Sequence, residues 1–187
     1  MTRPLLLALL AGTLCAADAT RLERELDEIG RIATVMIDGD LCQRILTPRA
    51  LEYIFRKDPR DQYADSDNYD VDDESFIRTK KTLIRLALLS KSAIDVNLWM
   101  PLPGTPPSIH IAIRNRREIS QFWEWGKLKQ DMFPAMKGVL DTGRRTTVKD
   151  KPGYISVLAP VRNSMGDIAG LVEVVGRLHP DDRENVK

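Results

Sequence analysis

The apolar positions of this chain change their spacing once, near Ser92. Before that point they recur every three or four residues. Leu22, Leu26, Ile29, Ala33, Met36 and Ile37 follow at helical spacing, and Thr20 with Glu23 forms a capping-box pair ahead of them. This predicts one long amphipathic helix, with Gly39 at its end or at a kink because glycine readily takes the left-handed conformation that closes helices. Thr47 and Pro48 form an N-cap and first-turn pair that leads Leu51, Ile54 and Phe55 onto one face of a second helix, stopped by Asp58 and Pro59. A third helix fits residues 76–91: Phe76, Lys80, Leu83, Ala87 and Lys91 lie on one track, and Ile77, Ile84 and Leu88 on the next. Asp72, Asp73 and Glu74 complement the positive end of its dipole.

After Ser92 the period becomes two. Ile94, Val96, Leu98 and Met100 alternate with Asp95, Asn97 and Trp99, and beyond a proline-rich loop Ile109, Ile111 and Ile113 alternate with His110, Ala112 and Arg114. The two strands predict a hairpin. Residues 121–140 return to a helical or mixed pattern broken by Gly126 and Pro134. A short strand at 146–149 precedes a second hairpin, 154–161 with 168–175, turned at 162–167. The fold class is therefore α+β, an antiparallel sheet with a long N-terminal helix and helical cover segments.

Charge and targeting narrow the function. Lys and Arg number 28 against 27 Asp and Glu, so no cationic surplus favours nucleic acid, and none is expected as a partner. Residues 1–17 begin with Arg3, continue through an apolar run from Leu5 to Leu14, and end in small residues. This reads as a secretory signal, and the run is half the roughly twenty residues a membrane helix needs. The expectation is a periplasmic or secreted domain at 18–178, a tail at 179–187, and no membrane span in the mature chain. Cys15 leaves with the signal, so Cys42 is alone and reads as a small buried hydrophobe. Two Cys and two His are too few for a structural zinc site, and no cofactor is called for. Residues 58–74 carry eight acids and one Arg without apolar period. Their spacing does not fit an EF-hand, and a solvated loop is the simpler reading.

Strand parity sets the candidate chemistry. One face collects Ile94, Val96, Leu98, Ile109, Ile111, Ile113, Ile155, Val157 and Ala159, to be covered by the long helix. The other collects Asp95, Asn97, His110, Arg114, Tyr154, Ser156 and Glu173, an inventory able to hold a small polar ligand. Arg114 would anchor an anion with its fork, and Trp123 or Trp125 would wall the pocket. A solvated sheet face is polar by default, so the same residues also fit a surface with no ligand. His110 across the hairpin from Asp95 would be a structural hydrogen bond sooner than a catalytic pair. No nucleophile motif is present, and no enzyme activity is expected.

The order of signal, long helix, second helical layer, strand pair, cover segment and final strand pair resembles the extracytoplasmic Cache family of PAS-like sensor domains. The most specific stretch is 154–175, where Ala159, Pro160, Val161, Gly166 and Gly170 match the family's closing hairpin. The resemblance covers residues 20–178. It implies binding of small molecules such as amino acids, carboxylates or amines in a pocket between sheet and cover. It departs from the family after Arg177, where no apolar run and no output domain follow. The expected function is a stand-alone sensor-type domain that binds a small polar molecule and acts through a membrane-bound signalling partner. The alternative is an interaction module without a ligand, which forms a homodimer through the N-terminal helix.

Overall fold

In a computed structural model the described residues are 4–56 and 72–178, with side chains from residue 18 onward. Five helices and six strands form an α+β structure: α1 (Pro4–Met36), α2 (Gly39–Ile45), α3 (Pro48–Arg56), α4 (Asp73–Ala87), β1 (Ile94–Leu102), β2 (Ser108–Ile113), β3 (Gln130–Asp131), α5 (Pro134–Thr142), β4 (Thr146–Val148), β5 (Tyr154–Arg162) and β6 (Ile168–Arg177). The strands make one antiparallel sheet in the order β3-β2-β1-β6-β5-β4, and both predicted hairpins form.

Helix α1 lies across β5 and β6 and buries Leu22, Leu26, Ile29 and Ala33, with Ile37 just beyond its end, against Val157, Ala159, Val172 and Val174. At roughly 25 cal/mol per Å² of apolar surface, such a stripe contributes far more than helix propensity does. Met36 is exposed, not part of the stripe. The helix does not begin at Thr20. It runs on from Pro4, because the run before Thr20 is rich in Leu and Ala, good helix formers that carry it through the single Gly12. Gly39 opens α2 and does not close α1. A Cβ there would stand 2.3 Å from the Arg162 carbonyl oxygen, so close backbone approach, not a left-handed turn, requires glycine.

Thr47 caps α3 through Ala50 N–H (3.1 Å), and Asp72 caps α4 through Ser75 N–H (2.8 Å). Phe55 is exposed and lies under Lys129, with Ala50 and Ile54 forming the buried face of α3 instead. On α4 the buried track is Ser75, Thr79, Leu83 and Leu86, and Ile77 and Leu88 face outward. Pro134 starts α5 where it was expected to break a helix, since its fixed φ and missing N–H suit the first helical position. Cys42 is fully buried, and burial pushes its thiol up to about 12.

The second strand departs from the simple alternation. Leu98 opposes Ile113 but Trp99 opposes Ile111, so a bulge at Ala112 shifts the register. Ile109 and Ile111 consequently lie with Trp99, and only Ile113 joins Leu98 and Val96. The sheet is covered on both faces. α1, α2 and α4 take one, and α5 with the 114–133 connection takes the other, where Trp99, Phe122, Met136, Val139, Val148, Leu158 and Leu171 form a second core.

Candidate functional site

Residues 95, 97 and 99 of β1, 171, 173 and 175 of β6, and 156 and 158 of β5 share the face of the second core, as the ladder pairings Asp95↔Val175, Asn97↔Glu173 and Leu158↔Glu173 require. At its centre Glu173 is fully buried. Trp99 Nε1–H (3.2 Å) and Ser120 Oγ–H (2.6 Å) donate to Oε2, and Gln121 N–H (2.8 Å) and Ser156 Oγ–H (2.9 Å) donate to Oε1. Burial raises its pKa, and those four donors act against the rise.

Asp95 and Asn97 perform a related task. Asp95 accepts Ile119 N–H (2.9 Å) and Arg117 N–H (3.1 Å), and burial pushes its carboxyl up to about 6 despite those bonds. Asn97 Nδ2–H donates to Ile119 O (2.7 Å) and its Oδ1 accepts Asn115 N–H (3.0 Å). Asn115 in turn donates to the carbonyls of Leu83 and Val96. The polar face therefore meets the backbone of residues 115–121, whose N–H and C=O groups would otherwise be buried without partners.

The other candidates divide into three places. Arg114 lies 4.7 Å over the Trp123 ring and pairs with Glu118 at 3.4 Å, and Trp125 stacks edge-on against Trp123 at 5.9 Å while remaining exposed. Tyr154, at the far end of β5, sits between Lys151 (4.5 Å) and Arg177 (5.2 Å). His110 opposes Met100, which places it on the face opposite Asp95. The expected His110–Asp95 pairing is thus overturned, because the bulge inverts β2 relative to β1. His110 Nδ1–H donates to Leu128 O at 2.6 Å.

Two open clefts accompany this arrangement. One, of about 300 Å³, runs between the end of α1 and α4 past Met36, Asp38, Arg78, Lys81 and Arg85. The other, of about 480 Å³, lies between β3 and the start of α5, lined by Glu124, Lys127, Gln130, Asp131, Met132 and Phe133 among others. Gln130 is 6% exposed, and neither its Nε2 nor its Oε1 has a hydrogen-bond partner. A buried unpaired amide costs about 1–3 kcal/mol. Among the described residues no group of three or more His, Cys, Asp or Glu is placed to hold a metal ion. The acidic stretch lies outside the described residues except for Asp72, Asp73 and Glu74, which begin α4.

No protein-family model matches the chain, and no curated protein matches it. Sequence reading did not single out Trp99, Asn115, Ser120, Gln121 or Gln130. Trp99 was readable from its parity with Asp95 and Asn97. The other four sit in a segment without periodicity, where no pattern announces them.

Proposed function

We propose that this chain is a sensor-type domain of PAS-like, Cache-related architecture, secreted or periplasmic, that binds a small polar molecule. The carrying observation is the cleft of about 480 Å³ beside β3, lined by Gln130, Asp131, Met132 and Phe133 among others. Its size suits a small ligand, for which pockets run from about 300 to 1,000 Å³. A long α1 across one sheet face and a cover segment on the other agree with the resemblance carried by residues 154–175. The site differs from the one strand parity suggested: Asp95, Asn97 and Ser156 already serve the 115–121 backbone and Glu173, and Arg114 serves Trp123 and Glu118.

A thermal-shift screen of the purified chain against amino acids, organic acids, amines, purines and divalent metals tests this reading. A ligand at one hundred times its dissociation constant adds about 2.7 kcal/mol, or several degrees for a domain of this size. A well-folded protein that responds to no class would sink it. The second reading, an interaction module, draws on Val35 and Met36 at the end of α1 and Leu88 and Leu89 after α4, all exposed. Sedimentation showing a dimer that Leu88→Ser with Leu89→Ser dissolves would favour it. Among the described residues no helix is long and apolar enough to cross a membrane.

A further inference from the structure

The cleft between the end of α1 and α4 lies on the other side of the sheet from the second core, on the face that α1, α2 and α4 cover. Its α4 wall is one helical stripe. Arg78, Lys81 and Arg85 recur at three- and four-residue spacing, with Thr82 beside them, and all three cations are exposed where they line the cleft. Arg85 stands about 10 Å along the axis from Arg78, at about 1.5 Å per residue. The facing wall supplies Met36, Ile37 and Leu41 and one acid, Asp38. That acid is engaged as the N-cap of α2, its Oδ1 accepting Asp40 N–H (2.9 Å) and Leu41 N–H (3.2 Å).

Pairing along the helix does not neutralise the stripe. Arg78 reaches Glu74, one turn earlier, at 3.4 Å. Lys81 has Ile77 and Arg78 before it at those spacings and Ile84 and Arg85 after it, so its charged neighbours on the helix repel it. Arg85 has Lys81 and Thr82 before it and Leu88 and Leu89 after it. Neither Lys81 nor Arg85 forms an ion pair among the described residues. Exposed cations elsewhere do, as Lys127 with Glu124 and Lys137 with Asp141. A chain whose charges nearly balance thus gathers uncompensated positive charge in a concave place of about 300 Å³, at the low end of volumes that take small molecules. The guanidinium forks of Arg78 and Arg85 suit carboxylate or phosphate oxygens, and the Lys81 ammonium adds a point charge between them. A monoanion meets one of these groups. A molecule with anionic groups spread over its length meets several at once, with its carbon skeleton against Met36 and Leu41.

We infer that this cleft binds a small polyanion, an organic molecule with two or more carboxylate or phosphate groups, and that Lys81 and Arg85 hold it. The inference goes beyond the binding reading above, since it concerns a second site on the other face of the sheet, and neither depends on the other. The test is calorimetric titration of the full chain in low-salt buffer with citrate, with phosphoenolpyruvate, and with acetate as a monoanion. The parent is compared with Lys81→Gln, Arg85→Gln and their double variant. Lys80→Gln is the control, because it removes the same charge one position away from a side chain that lies over the Phe76 ring, 5.3 Å from its centre. Citrate or phosphoenolpyruvate binds the parent and Lys80→Gln alike, and acetate binds at least tenfold more weakly. Each cleft variant loses threefold or more in affinity, and the double variant tenfold or more. Added sodium chloride weakens the binding, as contact between partly solvated ions requires. Citrate alone would mark the ligand as a polycarboxylate, and phosphoenolpyruvate alone as a phosphorylated acid.

Silence from both polyanions, acetate bound as tightly as citrate, or equal losses in Lys80→Gln and Lys81→Gln overturns this inference and leaves the reading of the β3 cleft intact. Binding that the double variant retains does the same. Retention of the chain on phosphatidylglycerol vesicles without a response to the free acids would make the stripe a membrane contact, which also overturns it. A response to organic acids in the wider thermal-shift screen that the double variant abolishes belongs to this cleft and not to the one beside β3. The four variants keep the far-UV circular dichroism of the parent, because the side chains they change lie outside the core.

Discussion

Glu173 and Gln130 project toward the same side of one sheet, both withdrawn from water, and differ in what surrounds them. Glu173 sits on β6, inside the ladder, with donors arriving from β1, β5 and the 114–121 connection. Gln130 sits on the two-residue edge strand β3 beside an open cleft and receives none. A buried polar group inside a closed network binds the chain to itself and fixes one packing. The same kind of group buried without a partner costs stability. A polar sheet face is therefore not evidence of a pocket until its partners have been traced.

The largest effect expected from this contrast is at Glu173. Glu173→Ala leaves Trp99 Nε1 and the Ser120 and Ser156 hydroxyls without their acceptor, and costs about 3 kcal/mol or more in denaturant unfolding. A loss below about 1 kcal/mol would break the contrast with Gln130.

Asp95 comes next, at about 1–2 kcal/mol for Asp95→Asn, with a pH signature. Its folded pKa, pushed up to about 6 from 3.8, means that the folded state holds its proton more tightly than the unfolded chain does. The stability linked to that proton is complete below pH about 3.8 and is lost as pH rises through about 6. Carboxylates with lowered values, Asp72 among them, act in the opposite sense, so the comparison of variant with parent isolates Asp95. Denaturant midpoints at pH 4 and pH 7 should fall less on raising pH in Asp95→Asn, and parallel slopes would contradict the assignment.

Gln130→Leu should gain about 1 kcal/mol, worth about 2–4 °C in melting temperature, the reverse sign to Glu173→Ala. The smallest change is Arg114→Ala, which loses the contact over Trp123 and costs about 0.5–1 kcal/mol. It should leave any ligand response unchanged. A ligand response abolished in Arg114→Ala would return the site to the position strand parity first suggested.

Much of the fold was readable because period and face are local properties. The change of spacing at Ser92, the two hairpins, the cap at Thr47 and the α1 stripe each depend on residues a few positions apart. The common face of Asp95, Asn97, Ser156 and Glu173 was readable for the same reason. The side of His110 was not, since a bulge inserts one residue and inverts everything beyond it while leaving the alternation itself intact.

The sequence by itself determined the elements, their amphipathic faces and the polar composition of one side of the sheet. Only the tertiary structure decided that this side is closed by residues 115–121 and α5, that Glu173 has four donors, and that Gln130, in a segment without period, has none. The physical reason is that hydrogen-bond satisfaction belongs to groups brought together from distant positions. Glu173 meets residues 52 and 53 positions away in the chain, and no local pattern carries that information.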